Sequence, residues 1–237
     1  MGASDGASRG VMEGSGGGAG PVSTVRVKPR SRADPAHPLI ASHEAEVRLR
    51  VLKAASVLVD RLTYDAVTIE AVARASGVSK STLYRHWPSR QLLVLEAFTY
   101  KTNLLTNVED TGDVARDLHA YLVALTYCLH IGGAGSTVAN LLAEAIRSED
   151  FAAHFRHTLL RERRQGFLAI MARGQRRGQV RDDVDLAVVI DAVYGSVHHR
   201  LVATGQTIDG SFLRNLTRFA VDGVATPSYR ETYRART

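Results

Sequence analysis

The residues best suited to chemistry crowd into one short stretch. Lys80, Ser81, Thr82, Tyr84, Arg85 and His86 fall within positions 80–86, and no acid occurs between Glu70 and Glu96. This set suits recognition of a polyanion. Ser and Thr hydroxyls serve phosphate oxygens or base edges, and Lys and Arg favour guanine O6 and N7. Tyr, His and a helix N-terminus suit phosphates, which fix register without carrying sequence information. Only Val78, Leu83 and Trp87 are apolar here, enough to pin one face to neighbouring helices while the polar remainder faces outward. A solvated helix that is merely basic would share this composition. It would not share the order of caps, glycine, hydroxyls and proline stop that surrounds these residues.

That order defines the elements. Thr68 caps a first helix whose packing stripe is Ile69, Val72, Ala73 and Ser76. Gly77 supplies the positive φ of a tight turn between crossed helices. Ser79 caps a second helix, and Pro88 forbids its continuation. The pattern is a helix-turn-helix whose second helix enters the DNA major groove, the mark of a DNA-binding regulator. A helix over Ala45–Leu62, with a stripe of Val47, Val51, Ala54/Ala55, Leu58 and Leu62, completes a three-helix core. Arg48 and Lys53 on it lie near the DNA backbone or are simply solvated. Ser89 caps a fourth helix, Arg90 to Asn107. Its Leu92, Leu93, Val94, Leu95, Ala97 and Phe98 cover most of the circumference, so it is buried on several sides and acts as a connector.

Residues 45–98 resemble the DNA-binding domain of the tetracycline-repressor (TetR) family of bacterial regulators. The resemblance rests on Thr68, Ala73, Gly77-Val78-Ser79, Thr82-Leu83-Tyr84, His86-Trp87, Ser89-Arg90 and the apolar run that follows. It implies that Lys80, Ser81, Thr82 and Arg85 face bases, and that Thr68, Tyr84, His86 and Arg90 hold phosphates. Ser81 stands where the family often has Gly, which alters base preference. Thr63 stands where a Gly often ends the first helix.

Residues 113–225 read as five more helices: Asp113–Ile131, Thr137–Arg147, Asp150–Arg173, Val184–Thr204 and Ser211–Val224, with a break at Gly132-Gly133 and Gly135. The fold class is therefore all-α, with about nine helices. The last two helices carry more apolar surface than one subunit needs, with Ala187, Ala192, Gly195 and Ser196 small enough for close approach. Two copies would form a four-helix bundle, with Val189, Val193, Val197, Leu201, Phe212, Leu216 and Phe219 at the seam, and the resemblance implies the same homodimer. Such a dimer reads a near-palindromic operator, its recognition helices roughly 34–36 Å apart. The resemblance further implies a small-molecule effector pocket whose occupancy swings the fourth helix and releases the DNA, as in a repressor. Candidate lining residues are Tyr121, Leu125, Cys128, Leu141, Phe151, Phe155, Phe167, Met171 and Tyr194. Asp191, Tyr194 and His198 place three polar groups along one stripe of an apolar helix, for a ligand or for bonds across the dimer, the second being preferred.

The whole chain agrees with this reading. Its 237 residues are 45% hydrophobic, with a net charge of +6 that suits a polyanionic partner. The single cysteine, Cys128, excludes an intramolecular disulfide framework. No run approaches eighteen apolar residues and no apolar leader is visible, so neither a membrane span nor a secretory signal is expected, and a cytoplasmic protein is the default. HExxH, CxxC and phosphate-loop motifs are missing, and neither enzyme chemistry nor a cofactor is expected. His154 and His157, or His198 and His199, leave a metal- or ligand-binding helical protein with nonspecific DNA affinity as the alternative. Four regions follow: a Gly/Ser/Pro-rich arm over 1–42 with a basic run at Arg26, Lys28, Arg30 and Arg32, a DNA-binding domain over 43–89, an effector and dimerisation domain over 90–226, and a tail over 227–237. The basic run is either an arm that tracks phosphates or enters the minor groove, or part of a solubilising tail or of a stretch upstream of the true start, the second side being preferred.

Overall fold

Local caps and stops set the helices. In the computed structural model, which describes residues 38–130 and 134–236, Thr68 Oγ1 accepts the Ala71 N–H at 3.1 Å and opens α2, Ile69–Ser76. Gly77 follows at φ 66°, a left-handed conformation open to glycine at no cost. Ser79 Oγ accepts the Thr82 N–H at 3.2 Å and opens α3, Lys80–His86. Ser89 caps α4, Arg90–Leu105, through Leu92 N–H at 3.3 Å. Before them runs α1, Pro38–Arg61, which begins earlier than Ala45; proline is tolerated in a first turn, so helix extends into the region expected as arm. The basic run over 26–32 lies outside the described residues. After α1, Thr63 is extended (φ −66°, ψ 157°) and a 3₁₀ turn, Tyr64–Ala66, leads into α2, so the position needs no glycine.

The remaining helices are α5, Val114–His130; α6, Ala134–Arg147; α7, residues 149–176; α8, Leu186–Thr204; α9, Gly210–Val224; and α10, Pro227–Arg234. The expected break at Gly132-Gly133 lies outside the described residues, and Gly135 sits in the first turn of α6. Two helices are wound unevenly. α7 carries a π stretch at Arg156–Leu160, and the last turn of α8, His199–Thr204, is also π. Where the sequence analysis expects a tail, α10 stands, capped by Thr226 with Pro227 at its start. Tyr229 on it donates to Asp113 Oδ1 at 2.6 Å and accepts from Ala115 N–H at 3.4 Å, clamping the start of α5. Among the described residues there is no strand, only an isolated bridge between Val180 and Ala225. The fold is all-α, as the sequence predicts.

One core runs from the helix-turn-helix into the helices behind it. Val51, Ala55 and Val59 of α1 meet Val72, Leu83 and Trp87, and these continue into Leu93, Val94 and Phe98 of α4. α4 is buried nearly all round, as its sequence predicts, and packs on α5, α6 and the π stretch of α7. It is also tied back to α1 by ion pairs: Lys101 with Asp60 and Arg48 with Glu96.

Candidate functional site

The outward face of α3 presents Ser81, Tyr84 and Arg85 to solvent, with Tyr84 50% exposed. Neither Tyr84 nor Arg85 makes a side-chain hydrogen bond or ion pair among the described residues. Ser79 Oγ lies 2.9 Å from both Ser81 Oγ and Thr82 Oγ1, so three hydroxyls gather at the positive end of the helix. Lys80 is paired with Glu70 of α2 at 2.7 Å, and that pair is exposed on both sides. The lysine holds the Glu70 carboxyl below the usual carboxylate range. His86 is half-buried and its Nε2 has no hydrogen-bond partner. It lines a cleft of about 340 Å³ with Thr82, Arg85 and Arg50 of α1. Thr68 already accepts one N–H as a cap, which leaves its hydroxyl hydrogen available.

Arg90 departs from its expected role. Its Nη1 donates to the Tyr64 carbonyl at 2.6 Å and its guanidinium lies 4.3 Å from the Tyr64 ring centre. The side chain is thus engaged within the domain, bracing the 3₁₀ turn, rather than reaching outward to a phosphate. A second brace was invisible in the sequence. Trp87 Nε1 donates to Glu96 Oε2 at 2.6 Å, while Arg48 pairs with the other oxygen of Glu96 and lies 5.1 Å over the Trp87 ring. The end of the recognition helix is thereby fastened to α1 and α4 by one carboxylate.

In the C-terminal helices the two π stretches flank a cavity between α5, α7 and α8. Leu159 and Leu160 come from the first, and His198 directly precedes the second. Such widened turns recur at functional sites. The cavity has an apolar recess of about 30 Å³ and an open chamber of about 260 Å³, which share Leu160, Arg163, Tyr194 and His198 as walls. Tyr121 and Tyr194 hydroxyls lie 2.6 Å apart, and both donate toward the Arg163 carbonyl, at 2.9 and 3.3 Å. Gly166 on α7 permits this approach, because a Cβ there would come within 3.0 Å of the Tyr121 ring. Burial raises both tyrosines; burial and then the Arg163 charge lower His198.

Of the residues expected to line a pocket, Leu125, Phe155 and Tyr194 do so, with Tyr121 directly behind Tyr194. Cys128 is buried with its thiol donating to the Ala124 carbonyl at 3.1 Å. Leu141, Phe167 and Met171 are fully buried core instead, because aromatic and Met side chains at helical spacing mostly pack. Phe151 faces a separate surface cleft beside Leu92 and His154. A wider groove of about 500 Å³ runs between α5, α9 and α10, where Arg116, Arg214, Arg218 and Arg236 are all water-exposed.

The residues expected at a dimer seam are unequally exposed in the chain. Val193, Val197 and Leu216 are buried within this chain, and Val189, Leu201 and Phe212 are half-buried. Phe219 on α9, also among those residues, is 67% exposed, and the outward stripe of α8 is Val188 (64% exposed), Ala192, Gly195 and Val202. α8 is apolar on two faces, and the sequence does not say which one the chain itself covers. By length and composition α8 is also long and apolar enough to cross a membrane, contrary to the expectation that no such segment exists. The Asp191, Tyr194 and His198 stripe turns toward its own chain: Asp191 meets Arg164 at 3.3 Å, and Tyr194 and His198 line the cavity. Within the chain, these residues thus contact α5 and α7. Among the described residues no three His, Cys, Asp or Glu side chains converge on a metal-sized site.

Known proteins share this arrangement. Residues 51–97 match the model of bacterial regulatory proteins of the tetR family, and residues 108–220 match a tetracyclin repressor-like C-terminal domain. The crystal structure of the TetR family transcription regulator SCO0332 is 35% identical, with a TM-score of 0.71, covering 76% of this chain and all of that one (100%). The uncharacterized HTH-type transcriptional regulator YdeS of Bacillus subtilis is 28% identical over 77% of this chain and 91% of its own length. A DNA-binding transcriptional repressor TetR of Mycobacteroides abscessus is 27% identical over 75% and 93%. The chain belongs to the TetR family: it is a transcriptional regulator with an N-terminal DNA-binding domain, and not an enzyme.

Proposed function

We propose that this regulator is a cytoplasmic homodimeric repressor that binds a near-palindromic operator and is released by a small-molecule effector. The observation that carries the DNA half is the exposed face of α3, on which Tyr84 and Arg85 have no side-chain partner among the described residues. In this reading Lys80, Ser81, Thr82 and Arg85 contact base edges, while Thr68, Tyr84 and His86 hold phosphates. The dimer half is supported by the stripe of Val188, Ala192, Gly195 and Val202 with Phe219, an apolar patch on a protein that must present two recognition helices to one duplex. The effector half is supported by the cavity at the two π stretches, one of which packs on α4. α4 ends in the braces that hold α3, so an occupant that shifts the π stretch biases the spacing of the recognition helices. A coupling of roughly 1–3 kcal/mol would change operator affinity about 5- to 150-fold.

Footprinting on the DNA flanking the regulator's own gene, at two salt concentrations, tests the reading. A protected near-palindrome of one to two turns is expected. Arg85→Ala is expected to cost about 1–3 kcal/mol and to relax preference at one base pair. Protection without a boundary, or equal weakening on every sequence, would remove Arg85 from base reading and leave only charge-driven binding.

A further inference from the structure

Arg163 lines both chambers of the cavity and is 6% exposed, yet its Nη1 has no hydrogen-bond partner and no ion pair to it forms among the described residues. Arg173 and Arg230, half-buried, also each have an Nε without a hydrogen-bond partner, but those guanidiniums are answered by carboxylates or carbonyls. Arg173 lies 3.5 Å from Asp110 and 3.6 Å from Asp117, and Arg230 donates to the carbonyls of Asp222 and Ala225 at 2.7 and 3.3 Å. The acid in the cavity wall, Asp191, is engaged with Arg164 at 3.3 Å. The arginines of the wider groove are hydrated by solvent and need no partner. An unpaired charge removed from water is among the costliest features of a fold unless a partner arrives.

The surroundings describe that partner. The hydroxyl hydrogens of Tyr121 and Tyr194 are directed to each other and to the Arg163 carbonyl, so these side chains position the arginine; its guanidinium also meets the Tyr121 hydroxyl, which leaves Nη1 as the donor without a partner. Leu125, Leu129, Phe155 and Val197 form an apolar wall beside it. We propose that the cavity takes a small carboxylic acid with an apolar body, its carboxylate pairing with the planar fork of Arg163 and its body lying against that wall. The chambers, about 30 and 260 Å³, suit a compact acid. The inference rests on the reading of this cavity as the effector site and adds the chemical class of the effector.

The test is thermal-shift titration of the full chain with butanoate, hexanoate, octanoate and phenylacetate, each beside its own primary amide. Acid and amide differ little in shape, so the comparison isolates the charge. At least one acid is expected to raise the Tm while its amide does not. Arg163→Met is expected to weaken that acid about 10- to 150-fold, the range for a hydrogen bond to a charged group, and Arg163→Lys to restore part of the loss. If the Met variant does not fold, by circular dichroism, the acid–amide comparison on the unaltered chain still decides. The proposal is overturned if no acid raises the Tm, if an amide stabilises as well as its acid, or if Arg163→Met binds the acid unchanged. Nile red, which carries no charge, separates this from the effector reading. Dye displacement by amides as well as acids would keep the cavity and reject the charge, whereas no binding of dye, acid or amide would reject the cavity itself.

Discussion

His198 sits where burial disfavours its charged form, and the neighbouring Arg163 adds to that effect, so its folded pKa lies below the ordinary 6.5. The unfolded chain therefore binds more protons than the folded one just below that value. The stability is fully present above about pH 6.5 and is lost as the pH falls below it. His119 has the same sign, from burial and then Arg214. The urea midpoint of unfolding is expected to drop between about pH 7.5 and about pH 5.5, and His198→Gln to flatten part of that drop. An equally steep profile in the variant would clear His198 of the effect. Residue types were legible in the sequence here, but partners were not. Tyr194 and His198 stand out as polar groups in an apolar helix, whereas Arg163 belongs to the run RERR at 161–164, which reads as a solvated charged face. Only the 3.6-residue period, together with the packing of α5 against α7, turns one of those charges inward.

At the scale of elements, α4 behaves as a strut with both ends secured. Arg90 holds the 3₁₀ turn at one end, Glu96 joins Trp87 to Arg48, and Lys101 meets Asp60 further along. Glu96→Ala leaves the buried Trp87 N–H without an acceptor and is expected to cost about 1–3 kcal/mol of stability, measured by urea denaturation. A change well under that range would mean that water or another side chain replaces the carboxylate. Helix starts were readable because their signals are local: Thr68, Ser79 and Ser89 each cap the helix they precede. The same signal, Thr226 before Pro227, was present for α10 and was overlooked for want of an apolar run behind it. The braces span up to 48 residues of sequence, as between Arg48 and Glu96, and the π stretches carry no compositional mark, so neither could be read in advance.

At the scale of the whole molecule, the proposed dimer makes the exposed stripe of α8 a matter of assembly. Val188→Glu together with Phe219→Glu is expected to give helical monomers in sedimentation experiments and to weaken operator binding strongly, because two half-sites are then bound independently. A variant that remains dimeric would place the seam elsewhere. Two apolar faces on one helix leave the register of a seam open to sequence reasoning, because either face could be the one that the chain itself covers. The pairing of Lys80 with Glu70 has a kinetic corollary for such a molecule. A repressor finds its operator by moving along random DNA, and each cation that clings to phosphate slows that travel. In the proposed complex Lys80 would come to the duplex already paired with Glu70, so on random sequence the lysine would gain little by exchanging one anion for another. On a site that completes the other contacts of α3 the exchange is favoured, which shortens dwell on the wrong DNA relative to the right one.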